Sequence, residues 1–150
     1  MIIRKPVDFT NFTEKINIFC ASLPQYGSDL IAVYLFGSSA RGEVKPLSDI
    51  DLAILLADNL TDHKIETKMF IEAMRIMETE EIDLITLNTA PLRIQYGVLR
   101  NKKVIYNSDT VKRIDFENRV IMEYLDFAPM RQMFNTEFLR NAGIGGTYNG

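Results

Sequence analysis

Leu30-Ile31-Ala32-Val33-Tyr34-Leu35-Phe36-Gly37-Ser38 and, ten residues on, Asp49-Ile50-Asp51-Leu52-Ala53-Ile54-Leu55-Leu56 decide the fold of this chain. The first run has no polar break, as expected of a strand covered on both faces, and Gly37 stops it. The second begins at Ile50 and runs to about Leu56, so Asp49 and Asp51 stand at a strand end. Upstream, Phe12, Ile16, Phe19, Cys20 and Leu23 form a helical stripe within Asp8 to Leu23, ended by Pro24 and Gly27. Downstream, Thr61 or Asp62 can cap a helix whose stripe is Ile65, Met69, Ala73, Ile76 and Met77, with Lys64, Glu66, Lys68, Glu72 and Arg75 outward.

Ile82 to Leu87 reads as a third strand closed by Asn88-Thr89, and Pro91 suits the first turn of another helix. Lys103 to Tyr106 reads as a short strand. Asp109 to about Arg140 is helical in pattern, with Ile114, Ile121 and Leu125 on one line and Phe116, Val120, Tyr124 and Phe127 beside it. Pro129 should kink or end that helix, beyond which Met130, Met133, Phe134 and Phe138 resume helical spacing. The order predicts an α/β layer protein with one central sheet, residues 1–140 forming a single domain and 141–150, rich in glycine, a flexible tail.

Composition narrows the function. The chain has 150 residues, 47% hydrophobic and 25% charged, which suits one ordinary domain, and a domain of this size buries roughly 70% of its unfolded surface. It therefore needs no disulfide or structural metal. The lone cysteine, Cys20, excludes an internal disulfide and a multi-thiolate zinc site; the lone histidine, His63, excludes histidine clusters. The longest apolar run is too short to span a bilayer, and the N-terminal residues lack the apolar stretch of a signal peptide, so the cytoplasm is the expected compartment. A net charge of -3 is the wrong sign for gripping nucleic-acid backbone. If the protein handles phosphates, it needs a cation to help.

The spacing of glycine and acids carries that chemistry. A glycine at a strand-to-helix turn lets the backbone approach a ligand closely, and free N–H groups at the following helix start favour an anion such as phosphate. Asp49 and Asp51, one residue apart on an extended segment, project on the same side of the sheet. Like charges that close are costly unless a cation bridges them, and Mg²⁺ commonly binds through a few carboxylates plus substrate phosphates. A nucleoside triphosphate held between the Gly37-Ser38 turn and such a metal would place its α-phosphorus near the carboxylates.

Gly37-Ser38-Ser39-Ala40-Arg41-Gly42 followed by Ser48-Asp49-Ile50-Asp51-Leu52 resembles the signature of the DNA polymerase β-like nucleotidyltransferases. The short length, together with Asp83 to Asn88, Gly97 to Tyr106 and Phe116 to Asp126, is similar to the minimal nucleotidyltransferases, the antitoxin halves of HEPN–MNT toxin–antitoxin pairs. The likeness covers most of residues 28–135. It implies a central mixed sheet flanked by helices, with further helices at the C-terminus. It also implies transfer of AMP from ATP, with loss of pyrophosphate, onto a tyrosine hydroxyl of a HEPN ribonuclease toxin, which is thereby silenced. Asp49, Asp51 and Asp83 would be the catalytic carboxylates and the ligands of two Mg²⁺ ions, with Asp83 also accepting the proton of the attacking hydroxyl. Gly37 and Ser38 would bind the terminal phosphates, and Ser39, Arg41 and Ser48 complete the nucleotide-binding set. A hetero-oligomer with the toxin is the implied assembly, with neither membrane association nor stable nucleic-acid binding.

Plainer readings stand beside these. An Asp-x-Asp pair alone is usually a solvated turn, and Asp83 has acidic neighbours in Glu80 and Glu81 that do ordinary surface duty. Arg41 and Lys45 offset charge on the leaving pyrophosphate or are simply solvated. Cys20 is expected in the core and His63 in a helical first turn. Two rival functions remain open: a small-molecule nucleotidyltransferase of the aminoglycoside type, for which the chain is short, and an antitoxin that acts by binding without turnover. The apolar positions from Phe116 to Phe138 are first of all core, with part of them available to a partner.

Overall fold

A computed structural model of the protein describes residues 11–37, 40, 49–57 and 63–127. Among these, four strands form one mixed sheet in the order β3-β2-β1-β4, where β1 is Leu30–Phe36, β2 Ile50–Leu56, β3 Ile82–Thr86 and β4 Lys103–Asn107. β1 pairs antiparallel with both β2 and β4, and β2 pairs parallel with β3. The two runs quoted from the sequence are the two central strands, with the bounds their apolar residues predict. Both are buried along nearly their whole length because helices cover both faces.

Alternation along the strands sorts the core into two layers. Leu30, Val33 and Leu35 of β1 and Ile50, Leu52, Ile54 and Leu56 of β2 pack on one face, against α1 (Phe12–Ser22) and α2 (Lys64–Met77). Ala32 and Tyr34 of β1 and Ala53 and Leu55 of β2 point to the other, against α3 (Leu92–Arg100) and α4 (Thr110–Asp126). A register shift between Leu30 and Ala32 places Ile31 in this second layer too. The shift between Val33 and Tyr34 in the β1–β4 pairing leaves Ile105 outside the ladder, and its carbonyl accepts the Cys20 thiol at 3.3 Å. Cys20 is thus a half-buried edge contact, and burial pushes its thiol pKa up.

The connections are held by local chemistry. Asn88, just past β3, accepts from the Leu56 backbone N–H at 2.9 Å and donates to the Leu56 carbonyl at 2.8 Å, so one amide continues the ladder beyond the last strand residue. Asp109 caps α4 by accepting from the Lys112 N–H at 3.1 Å. The expected caps Thr61 and Asp62 lie outside the described residues. His63 occupies the N-cap position of α2 rather than its first turn, and its ring Nδ1 lies 3.1 Å from a Glu66 carboxylate oxygen. Pro91 likewise stands one position before α3, where its fixed φ still fits the helix start. The continuation of the last helix past Pro129, the tail at 141–150 and the short helix after β1 fall on residues outside the described set.

The α4 helix is fixed to the sheet by a polar cluster that the sequence does not announce. Glu117 is buried and shared by two cations, Lys102 and Arg113, the latter at 2.7 Å. Tyr34 lies beneath, its phenol pushed up to about 12 by burial against the opposing pull of Arg113. Removing Glu117 leaves two cations without their shared counter-charge in a largely dry site. Glu117→Ala should therefore cost about 3 kcal/mol of stability, read from urea unfolding followed by circular dichroism.

Candidate active site

Register brings the predicted carboxylates to one end and one face of the sheet. Asp51 is the β2 partner of Phe36 on β1 and, on the other side, of Asp83 on β3. Ile50 N–H donates to the Glu81 carbonyl at 2.9 Å, which starts the parallel ladder at this end. Since Ile50, Leu52, Ile82 and Leu84 face the α1/α2 layer, alternation turns Asp51 and Asp83 to the opposite face, the one α3 and α4 cover. Asp49, two residues from Asp51, shares that side. Ala53 and Leu55 continue it into the core, so the acids occupy the solvent end of an otherwise apolar row.

Gly37 follows Phe36 directly and sits beneath the Asp51 carboxylate. Its φ of 65° is a left-handed conformation that side chains rarely adopt, and a Cβ there would collide with Asp51 Oδ2 and lie 3.3 Å from Cγ. The glycine is therefore required twice, by its backbone and by the carboxylate over it. Ser38, Ser39, Arg41 and Ser48 lie outside the described residues.

The electrostatics of the cluster follow from this crowding. Burial, then the Asp83 charge, then the Asp49 charge raise the Asp51 pKa from 3.8 to about 6. Hard carboxylate oxygens are the donors Mg²⁺ takes, and Asp51 has an acidic neighbour on either side, Asp83 across the ladder and Asp49 two residues back. Among the described residues no group of three or more carboxylate, imidazole or thiol side chains is placed so that it could hold a metal ion by itself. The fit therefore rests on the donor chemistry, with phosphate oxygens and water completing the coordination.

Other features stand apart. A hollow of about 710 Å³, lined in part by His63, Glu66, Asn88, Lys112 and Arg119, lies where β2 ends and β3 gives way to Asn88, the sheet end opposite the acids. It contains none of the predicted site residues. The sequence reading missed Phe36 and Glu81 as elements of the site; both act through backbone pairing, which no side-chain pattern signals.

Known proteins resemble this chain in sequence and fold. A curated relative from Methanocaldococcus jannaschii, provisionally named a protein adenylyltransferase, is 31% identical over 98 residues, which cover 57% of this chain. The match spans 64% of that relative's length. Among solved structures, a toxin–antitoxin crystallised with AMP-PNP contains a chain 25% identical to this one, with a TM-score of 0.65, the match covering 84% of this chain and 97% of that one. A complex of tri-AMPylated Shewanella oneidensis HEPN toxin with MNT antitoxin matches in fold, with 22% identity, a TM-score of 0.63 and coverage of 85% and 98%. The family described as polymerase beta, nucleotidyltransferase matches residues 14–111, a span that takes in Gly37, the three aspartates and every strand of the sheet. With Gly37 folded under Asp51, Asp83 in register beside it and the family match spanning them all, this chain belongs to the polymerase β nucleotidyltransferase family.

Proposed function

We propose that this protein is an antitoxin that transfers AMP from ATP to a tyrosine hydroxyl of a HEPN ribonuclease toxin and so silences it. The observation that carries the reading is the row of Asp49, Asp51 and Asp83 at one sheet end with Gly37 packed beneath Asp51. The named activity of the Methanocaldococcus jannaschii relative and the AMP-PNP complex of the structural neighbour support it.

In the proposed reaction the acceptor oxygen attacks the α-phosphorus of ATP, the bond to the β-phosphate oxygen breaks, and pyrophosphate leaves. The chain's own groups have distinct tasks. Gly37, without a side chain, lets the turn approach the triphosphate, and the neighbouring Ser38, Ser39, Arg41 and Ser48 supply donors and charge for its phosphates. Asp83 accepts the proton of the attacking hydroxyl as the new phosphorus–oxygen bond forms. Asp49, Asp51 and Asp83 would hold Mg²⁺. Bound there, the metal neutralises charge on the phosphates and on the leaving group.

The deciding experiment incubates the protein with Mg²⁺-ATP and a HEPN protein or, separately, a panel of aminoglycosides, and reads mass. A gain of one or more AMP units on tyrosine of the HEPN protein is expected, absent with Asp49→Asn or Asp51→Asn. Modified aminoglycoside beside unmodified HEPN protein would mean a small-molecule enzyme, and neutralisation without any mass change would mean an antitoxin that acts by binding.

Gly37→Ala should reduce transfer by roughly 100-fold or more, since it displaces Asp51 and strains the turn, while costing only about 1–2 kcal/mol of stability. Parallel measurement of AMP transfer and urea unfolding separates the two effects. For Asp51 the sign of the pH effect follows from its raised pKa. The folded chain binds this proton more tightly than the unfolded chain, so stability is fullest below the ordinary value of 3.8 and is lost as pH rises through about 6. In metal-free buffer Asp51→Asn should therefore raise Tm by a few degrees at pH 7.5 and leave it nearly unchanged at pH 4. Thermal unfolding at the two pH values tests it.

A further inference from the structure

The outer face of α4 is apolar, and no described residue covers it. Val111 is 69% exposed, Met122 64% and Leu125 56%, with Ile114 and Ile121 also exposed. At 100° per residue these five fall within about 60° of the direction of Asn118, which is itself exposed. Val111, Ile114, Asn118, Ile121 and Leu125 recur at alternating spacings of three and four, the seam of a coiled coil with one polar residue at its centre. The inward face of the same helix is already used, by Phe116, Glu117 and Val120 against the sheet and by Tyr124 stacked on Tyr96 of α3 at 3.7 Å. Among the described residues, none covers the seam.

Charges beside the seam identify its occupant. Lys112, Asp115, Arg119, Glu123 and Asp126 all lie on one flank of it, and all are exposed. In two such helices related by a two-fold axis through Asn118, and therefore antiparallel, the flanks meet. Lys112 then falls opposite Glu123 and Asp126 of the second helix, Asp115 opposite Arg119, Val111 opposite Leu125 and Ile114 opposite Ile121. In a parallel pairing about a two-fold along the helix axes the two charged flanks would lie on opposite sides of the pair and would not meet, so only the antiparallel arrangement uses them. A central asparagine pair costs some stability and fixes register, as buried asparagines do in coiled coils.

We propose that α4 is a self-association surface at which two copies of this chain pair antiparallel about Asn118. One helix pair buries less than the roughly 1,200 Å² of a standard stable interface, so the dimer is expected in the micromolar range. The pairing is independent of the catalytic reading. It leaves Gly37 and the aspartates free, because they lie at the sheet end and the seam lies on the outside of the helix.

Sedimentation velocity of the full chain from about 1 to 500 µM tests the proposal. Monomer–dimer exchange is expected, and Ile121→Asp should raise the dimer dissociation constant at least tenfold with an unchanged circular dichroism spectrum. Lys112→Glu should weaken pairing several-fold. The triple variant Lys112→Glu, Glu123→Lys, Asp126→Lys, in which the reversed charges face one another again, should restore it. A chain that stays monomeric throughout this range overturns the proposal and leaves the seam to a different protein or to residues 128–150. A dimer indifferent to Ile121→Asp, or one the charge reversal does not restore, overturns it equally, since pairing would then use another face or another geometry.

Discussion

The antiparallel pairing of β1 with β2 sets Phe36 opposite Asp51, and the rest of the site is arranged around that pair. It brings the glycine that ends one strand under the carboxylate that begins the next, so that a turn and an acid separated in sequence become one surface. The parallel addition of β3 then places Asp83 beside Asp51. Three acids are gathered where burial and the charges of Asp83 and Asp49 disfavour the ionisation of Asp51, and β2 tolerates this because its remaining residues are buried. The site is an unfavourable charge arrangement held in place by the hydrophobic stability of the sheet behind it.

That division of labour explains where the structure is rigid and where it is polar. The two layers of core bury aliphatic and aromatic groups on both faces of β1 and β2, each fully buried side chain contributing about 1.5–3 kcal/mol. Polar groups inside this frame are few and specifically employed: Asn88 extends a ladder, Cys20 serves a bulge, and Glu117 ties α4 to Lys102 and Arg113. At the carboxylate end, by contrast, burial and the charges of Asp83 and Asp49 all act on Asp51 in one direction, against its charged form. Like charge concentrated at one point of a fold marks a candidate functional site.

The helical layer has a second asymmetry. α4 spends one face on the sheet and α3 and leaves a regular apolar seam on the other, whereas α2 buries its stripe through Met69, Ala73 and Met77 and exposes mainly charge. α2 is amphipathic in the ordinary sense, while α4 carries apolar residues on two faces, one against the sheet and one outward, with a charged flank between them.

Much of this was legible in residues 30–56 alone. An uninterrupted apolar run ended by glycine can only be a doubly covered strand or a buried helix segment, and the glycine with the short length decides for the strand; the bounds of β1 and β2 follow to the residue. The candidate carboxylates were legible for the same local reason, since spacing along a strand fixes which side chains share a face. What only the tertiary structure decided depends on contacts between distant segments. Strand order, the bulge at Ile105, the meeting of Gly37 with Asp51 and the burial of Glu117 arise from pairings that no local pattern encodes. The same holds for α4. Its apolar positions could be read from the sequence, but which of them face the sheet and which face outward was set by the packing of Phe116 and Val120 on β1, because a helix with apolar residues on two faces carries no sequence mark of its inner side.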